Sequence, residues 1–169
     1  MWRRTFTAVL LIGALALTAG AVPAYASHHA LAGSFRIQNV KSGLYLQSPS
    51  STPSLSDVVQ EPRSTVGWQE FKYVARGDYD NLQQVLLYRN IGISWGSTTP
   101  GAQAFLGSPD GRVNQDWEVR QKPGGVYELV NRGSGLCLGI NNASTQPGAH
   151  AVQFPCDGFQ NQRWRMVPW

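Results

Sequence analysis

One short pattern, glutamine, any residue, then an aromatic, occurs three times at near-constant spacing. It stands at Gln69-Glu70-Phe71, Gln115-Asp116-Trp117 and Gln162-Arg163-Trp164, 46 and then 47 positions apart. The residues before it repeat as well. Ser97-Thr98-Thr99-Pro100-Gly101-Ala102 lies over Ser144-Thr145-Gln146-Pro147-Gly148-Ala149, and Asp110-Gly111 and Asn114-Gln115 fall without a gap on Asp157-Gly158 and Asn161-Gln162. The first copy is more diverged, but Val58-Val59-Gln60-Glu61-Pro62 still matches Ala151-Val152-Gln153-Phe154-Pro155. A unit of this size cannot bury its own apolar face, so three of them must share one core.

Within a unit the pattern is that of short strands broken by turn residues. Val126 to Val130 alternates around Tyr127 and Leu129, Gly133-Ser134-Gly135 makes a turn, and Leu136 to Leu138 resumes extended chain. A loop over Asn141 to Gly148 precedes two further strands, Ala151 to Phe154 and Arg163 to Val167. After Ser27 no stretch keeps the 3, 4, 7 apolar spacing of a helix for three turns. The expectation is one all-β domain with approximate threefold symmetry, its repeats at about 34–78, 79–122 and 123–169.

The start of the chain reads as an export signal over residues 1–26. Trp2-Arg3-Arg4 supplies positive charge, Ala8 to Leu17 is small and apolar throughout, and Ala24-Tyr25-Ala26 ends in small residues at −3 and −1. Arg3-Arg4-Thr5-Phe6 also has the look of a twin-arginine signal, so either export route is open. The apolar run is too short to span a membrane, and no later run approaches 18 residues. A secreted domain over 27–169 is therefore expected. The full chain has 14 Lys+Arg against 10 Asp+Glu; without Arg3 and Arg4 the balance falls to 12 against 10. That near-neutrality gives no electrostatic case for a nucleic-acid partner. Only 14% of residues are charged, so Gly, Ser, Thr, Asn and Gln must cover much of the surface.

Cys137 and Cys156, 19 positions apart in the third unit of an exported chain, read as a structural disulfide. Two thiols and one histidine outside the leading Ser27-His28-His29 segment do not make a zinc site, and neither a metal nor another cofactor is expected. The recurring aromatics Phe71, Trp117 and Trp164 read as core filler. The glutamines before them, Gln69, Gln115 and Gln162, are expected to bond backbone in the adjacent loop.

Cys137-Leu138, Ala143-Ser144-Thr145, Gly148-Ala149, Val152-Gln153-Phe154, Cys156 and Gln162-Arg163-Trp164 together resemble the ricin-type (ricin B-chain-like) lectin repeat. The resemblance covers about 34–168. Three such repeats imply a β-trefoil, with six strands in a short barrel and six in hairpins capping it. They also imply binding of carbohydrate, often galactose-type sugars or polysaccharide, and a disulfide at the positions of Cys137 and Cys156. In the family pattern an Asp follows the Cys-Leu pair, an aromatic follows the Gln-rich strand, and an Asn precedes the Gln. The third unit keeps Phe154, Asn161 and Gln162 but has Gly139 at the Asp position.

A hexose site needs an aromatic face for its C–H groups and side chains that both donate and accept hydrogen bonds. On that basis the third unit is the best site, with Phe154 stacking and Asn161 and Gln162 bonding hydroxyls. Asn141, Asn142 or Asp157 would replace the missing Asp. The second unit has Gly92 and Gly107 at the Asp and aromatic positions, leaving Asn114 and Gln115 without a stacking surface. The first offers Gln47, Glu61 and Trp68, and Trp95 is either an exposed platform or loop packing. Loss of the Asp in every unit favours an alternative, a protein-binding trefoil acting as a secreted inhibitor or adhesion module. Catalysis is not expected. His150 has no nucleophile motif around it, and the close carboxylate pair Asp78 and Asp80 reads as a solvated turn between units.

Overall fold

Within each repeat the alternating apolar residues become short antiparallel strands, and their pairing order shows how three units close on one core. The computed structural model describes residues 33–48 and 56–169; the export segment and the two paired histidines lie outside the described residues. The strands are β1 (Phe35–Asn39), β2 (Tyr45–Gln47), β3 (Ser56–Asp57), β4 (Val59–Glu61), β5 (Phe71–Arg76), β6 (Tyr79–Gln84) and β7 (Arg89–Ile93). They continue with β8 (Ala104–Gly107), β9 (Trp117–Lys122), β10 (Val126–Asn131), β11 (Cys137–Ile140), β12 (Ala151–Phe154) and β13 (Trp164–Pro168).

Six of these close a barrel: β1 pairs β5, β5 pairs β6, β6 pairs β9, β9 pairs β10, β10 pairs β13, and β13 returns to β1. Closure satisfies the ladder bonds that an open edge would leave unpaired. The junctions repeat with the sequence, Phe35 opposite Phe71, Asp80 opposite Trp117, Tyr127 opposite Trp164. Hairpins β2–β4, β7–β8 and β11–β12 form the cap, and β3 adds a short thirteenth strand against β8. This is the β-trefoil implied by the motifs, with one strand more.

Phe71, Trp117 and Trp164 are fully buried in a cluster with Phe35, Ile37, Leu82, Val119 and Leu129. Burying an indole leaves its N–H to be satisfied, and each tryptophan solves this alike. Trp117 Nε1 donates to the Ile91 carbonyl at 2.8 Å and Trp164 Nε1 to the Leu138 carbonyl at 3.0 Å. Cys137 and Cys156 are disulfide-bonded. Asp80 corrects one sequence reading: it is not in a solvated linker but buried within β6, while Asp78 stays in the turn before it.

The repeats are also fastened to one another by two glutamines. Gln60 of the first repeat donates from Nε2 to the carbonyls of Ser144 (3.0 Å) and Gln146 (2.9 Å) in the third. Gln153 of the third donates to Ser97 (2.8 Å) and Thr99 (3.0 Å) in the second. Their Oε1 atoms accept from Ser42 and Ser134, both at 2.7 Å. The equivalent residue of the second repeat is Leu106, buried and apolar. There β3 pairs with β8, Ser56 opposite Leu106 and Asp57 opposite Phe105. Replacing Gln153 by leucine, copying position 106, strands two loop carbonyls and a serine hydroxyl. A loss of about 2 kcal/mol is expected, read as a lower urea midpoint with an unchanged m-value.

Candidate functional site

A single 3-10 turn precedes each core aromatic and carries the glutamines singled out in the sequence. These turns are Gly67–Gln69, Val113–Gln115 and Gln160–Gln162. Each glutamine is buried, and each Nε2 donates to a loop carbonyl seven positions earlier. Gln69 reaches Pro62 at 2.7 Å, Gln115 reaches Ser108 at 2.9 Å and Gln162 reaches Pro155 at 2.9 Å. Their Oε1 atoms accept from the Ser64 N–H, the Asn90 amide and the Asp157 N–H. The loop-bonding role expected of them is what the structure shows, and it leaves Gln162 already bonded at both ends of its amide.

The glycines at the Asp positions have a physical cause. A Cβ on Gly139 would lie 2.9 Å from Gln162 Cγ and 3.3 Å from the Asn161 carbonyl oxygen. One on Gly92 would lie 2.9 Å from Gln115 Cγ and 3.1 Å from the Phe105 ring. The space once assigned to a carboxylate is filled by the neighbouring glutamine. In the third repeat Phe154 is half-buried at the end of β12, and Asn161 is buried with its carbonyl accepting from the Asn39 amide at 2.9 Å. Asp157 Oδ1 accepts from the Phe159 N–H at 2.8 Å, capping its own turn, and Asn141 lies exposed in the turn after β11. Phe159, a residue the sequence motif does not single out, is exposed beside them. In the first repeat Gln47 Oε1 accepts from Gln69 at 2.9 Å, while Trp68 and Glu61 are half-buried.

The second repeat holds the largest difference from the sequence reading. A cleft of about 620 Å³ opens there, lined among others by Trp95, Phe105, Asn114, Asp110, Arg112 and Asp57, a volume within the ~300–1,000 Å³ usual for small-ligand sites. The repeat does have an aromatic face. A Cβ at Gly107 would come 2.5 Å from Phe105 Cε2, so the ring of Phe105 lies across the place where a side chain at 107 would start. Two residues apart on β8, the two positions share a face.

Trp95 decides the character of this cleft. It is 95% exposed, and its backbone is left-handed, with φ of 58°. A bulky side chain rarely adopts that conformation, and such strain collects at functional sites. The equivalent position in the third repeat, Asn142, has φ of 52°, where asparagine is at ease. Trp95 therefore stands open to solvent and is not packed into its loop. Asn114 also lines the cleft: it is 8% exposed, its Nδ2 donates to the Ile93 carbonyl at 2.8 Å, and its Oδ1 is buried without a donor. Among the described residues no cluster of three or more His, Cys, Asp or Glu is placed to hold a metal ion.

Comparison with known proteins agrees with this architecture. The family model described as ricin-type beta-trefoil lectin domain-like matches residues 113–168. A search of curated proteins gave no match. Among solved structures, the designed threefold-symmetric protein ThreeFoil is 31% identical, with 81% of this chain and 99% of that one covered and a TM-score of 0.79. An exo-beta-1,3-galactanase from Clostridium thermocellum is 22% identical over 82% of this chain and 30% of its own, with a TM-score of 0.78. The Polyporus squamosus lectin, solved with a Neu5Aca2-6Galb1-4GlcNAc epitope, is 16% identical over 79% and 48%, with a TM-score of 0.68. With three repeats, a closed six-stranded barrel and three capping hairpins, the chain belongs to the ricin-type β-trefoil lectin-like family.

Proposed function

We propose that the protein is a secreted, non-catalytic carbohydrate-binding module, and that its principal site is the cleft of the second repeat. The observation that carries this reading is Trp95, an indole face presented to solvent on a strained backbone at the mouth of a cleft. Trp95 and Phe105 supply apolar faces for the C–H surface of a sugar ring, and the Asn114 amide lines the same space. The family resemblance points to galactose-type sugars, and the open cleft suits a residue within a polysaccharide chain. In the third repeat the candidates for a second site are Phe154, Phe159, Asn161 and Asn141. Its Gln162 and Asp157 serve the loop instead.

Secretion is supported by the 1–26 segment and by a disulfide suited to an oxidising compartment. The carboxylates of the cleft support a binding role over catalysis. Asp110 Oδ1 accepts from the Arg112 N–H at 3.0 Å, its Oδ2 faces the Arg112 guanidinium at 3.5 Å, and Asp57 faces His150. A protein ligand is the second reading, favoured by the filled carboxylate positions at Gly92 and Gly139.

A glycan and polysaccharide screen followed by calorimetry tests the proposal. Single-sugar affinity is expected near millimolar, about −4 kcal/mol. Trp95→Ala is expected to weaken binding about tenfold, the loss of one stacking face, and Phe154→Ala to leave most of it. The reverse pattern would move the principal site to the third repeat. A folded protein that binds no glycan would overturn the carbohydrate reading and leave the protein-ligand one.

A further inference from the structure

Four residues beyond the ends of β1, β6 and β10 the chain passes through a left-handed residue, and two of the three repeats place glycine there. Gly43 has φ of 74° and Gly135 of 70°. The second repeat has Tyr88 at φ of 54°, a conformation that glycine adopts freely and a bulky side chain rarely does. Burial does not compensate for it: Tyr88 is 67% exposed, as is Leu86 of the same turn at 53%. The Lys72 ammonium stands over the tyrosine ring, 5.6 Å from its centroid. Tyr88 and Trp95 thus form a pair. Both are large aromatics exposed on left-handed backbone, and they flank β7, which starts directly after one and ends two residues before the other. The turn of Tyr88 also borders the cleft. In the third repeat the Gly135 carbonyl lies 4.0 Å from Cys156 Sγ. The equivalent residues of the second are Tyr88 and Pro109, and Pro109 precedes Asp110 of the cleft lining.

We infer that Tyr88 is a second stacking residue for an extended polysaccharide, so that the second repeat recognises several consecutive sugars. The inference rests on the carbohydrate reading above and adds the length of the ligand to it. Seven residues of largely extended chain carry Tyr88 to Trp95, roughly 20 Å at the rise of a strand, too far for one hexose to touch both. A chain of sugars can. The tyrosine ring offers a face to sugar C–H groups, and the Lys72 ammonium beside it supplies donors for hydroxyl oxygens. Two weak contacts on one ligand reinforce each other, since the second forms at the high effective concentration set by the first.

Calorimetry with galactose and with a β-1,3-linked galactose hexamer tests this on the wild type, Tyr88→Gly and Tyr88→Phe. The wild type is expected to bind the hexamer about tenfold more tightly than galactose. Tyr88→Gly, which copies positions 43 and 135, is expected to remove most of that advantage while its urea midpoint stays close to the wild-type value, because glycine suits the left-handed turn. Tyr88→Phe keeps the ring face and is expected to retain the advantage. A hexamer that binds no better than galactose overturns the inference and leaves the carbohydrate reading standing, as does an advantage that survives Tyr88→Gly. A urea midpoint of Tyr88→Gly well below that of the wild type assigns the tyrosine to packing and overturns it too. Failure of both sugars to bind folded wild-type protein overturns the inference and the galactose-type reading together.

Discussion

Replacing Trp164 by alanine is expected to lower the free energy of unfolding by about 3–5 kcal/mol, the range for truncating a fully buried large aromatic. Trp164 is completely buried, and its loss removes both the packing and a hydrogen bond to the Leu138 carbonyl. Trp117→Ala should cost as much, because Trp117 sits at the equivalent junction with the same kind of bond to Ile91. Trp164→Phe separates the contributions, since the first repeat already uses Phe71 at that place without an indole N–H to satisfy. It is expected to retain much more of the stability than alanine does. Urea titration followed by far-ultraviolet circular dichroism reads all three; a shift below about 1 kcal/mol for Trp164→Ala would show that the three aromatics do not form one shared core.

Reducing the disulfide is the second large effect. Cys137 and Cys156 close a loop with a sequence separation of 19, and chain entropy alone assigns about 3 kcal/mol to such a loop. The bond ties β11 to the segment after β12, where the Pro155 carbonyl and the Asp157 N–H meet Gln162. The other repeats lock that place differently. In the second, Asn90 stands where Cys137 does, and its buried amide bonds Asn81 at 3.1 Å and Gln115 at 3.0 Å. A denaturation midpoint compared with and without a thiol reductant measures the effect. The double variant Cys137→Ala with Cys156→Ala should behave like the reduced protein. No change would mean that the hydrogen bonds of Gln162 suffice alone.

How much of this was legible in the sequence depends on what repeats. Period and strand alternation disclose the fold, because Phe71, Trp117 and Trp164 must meet at one axis and the glutamines before them must close the same loop three times. The site was less legible, for reasons visible in particular residues. Aligning Gly107 with Phe154 says that the second repeat lacks an aromatic, yet Phe105, two positions earlier on the same strand face, puts its ring there. Asp57 belongs to the first repeat in sequence and to the second-repeat cleft in space, a crossing that only strand pairing reveals. Trp95 could be platform or packing until its left-handed backbone and exposure were known. The filling of the Gly139 position by Gln162 is likewise a matter of rotamer, not of spelling.

The missing third glutamine has a consequence for energetics. The boundary without that fastening runs between the first and second repeats, where Leu106 replaces it and a two-residue strand stands in. The cleft straddles this boundary, with Asp57 on one side and Trp95 and Phe105 on the other. A molecule seated there touches both, so its binding energy is also cohesion between repeats, present in the native state and absent from the unfolded chain. At a hundred times its dissociation constant such a molecule raises the unfolding free energy by about 2.7 kcal/mol, comparable with the disulfide. The binding partner would then act as the third rivet of the ring, and a melting curve would register recognition without any label.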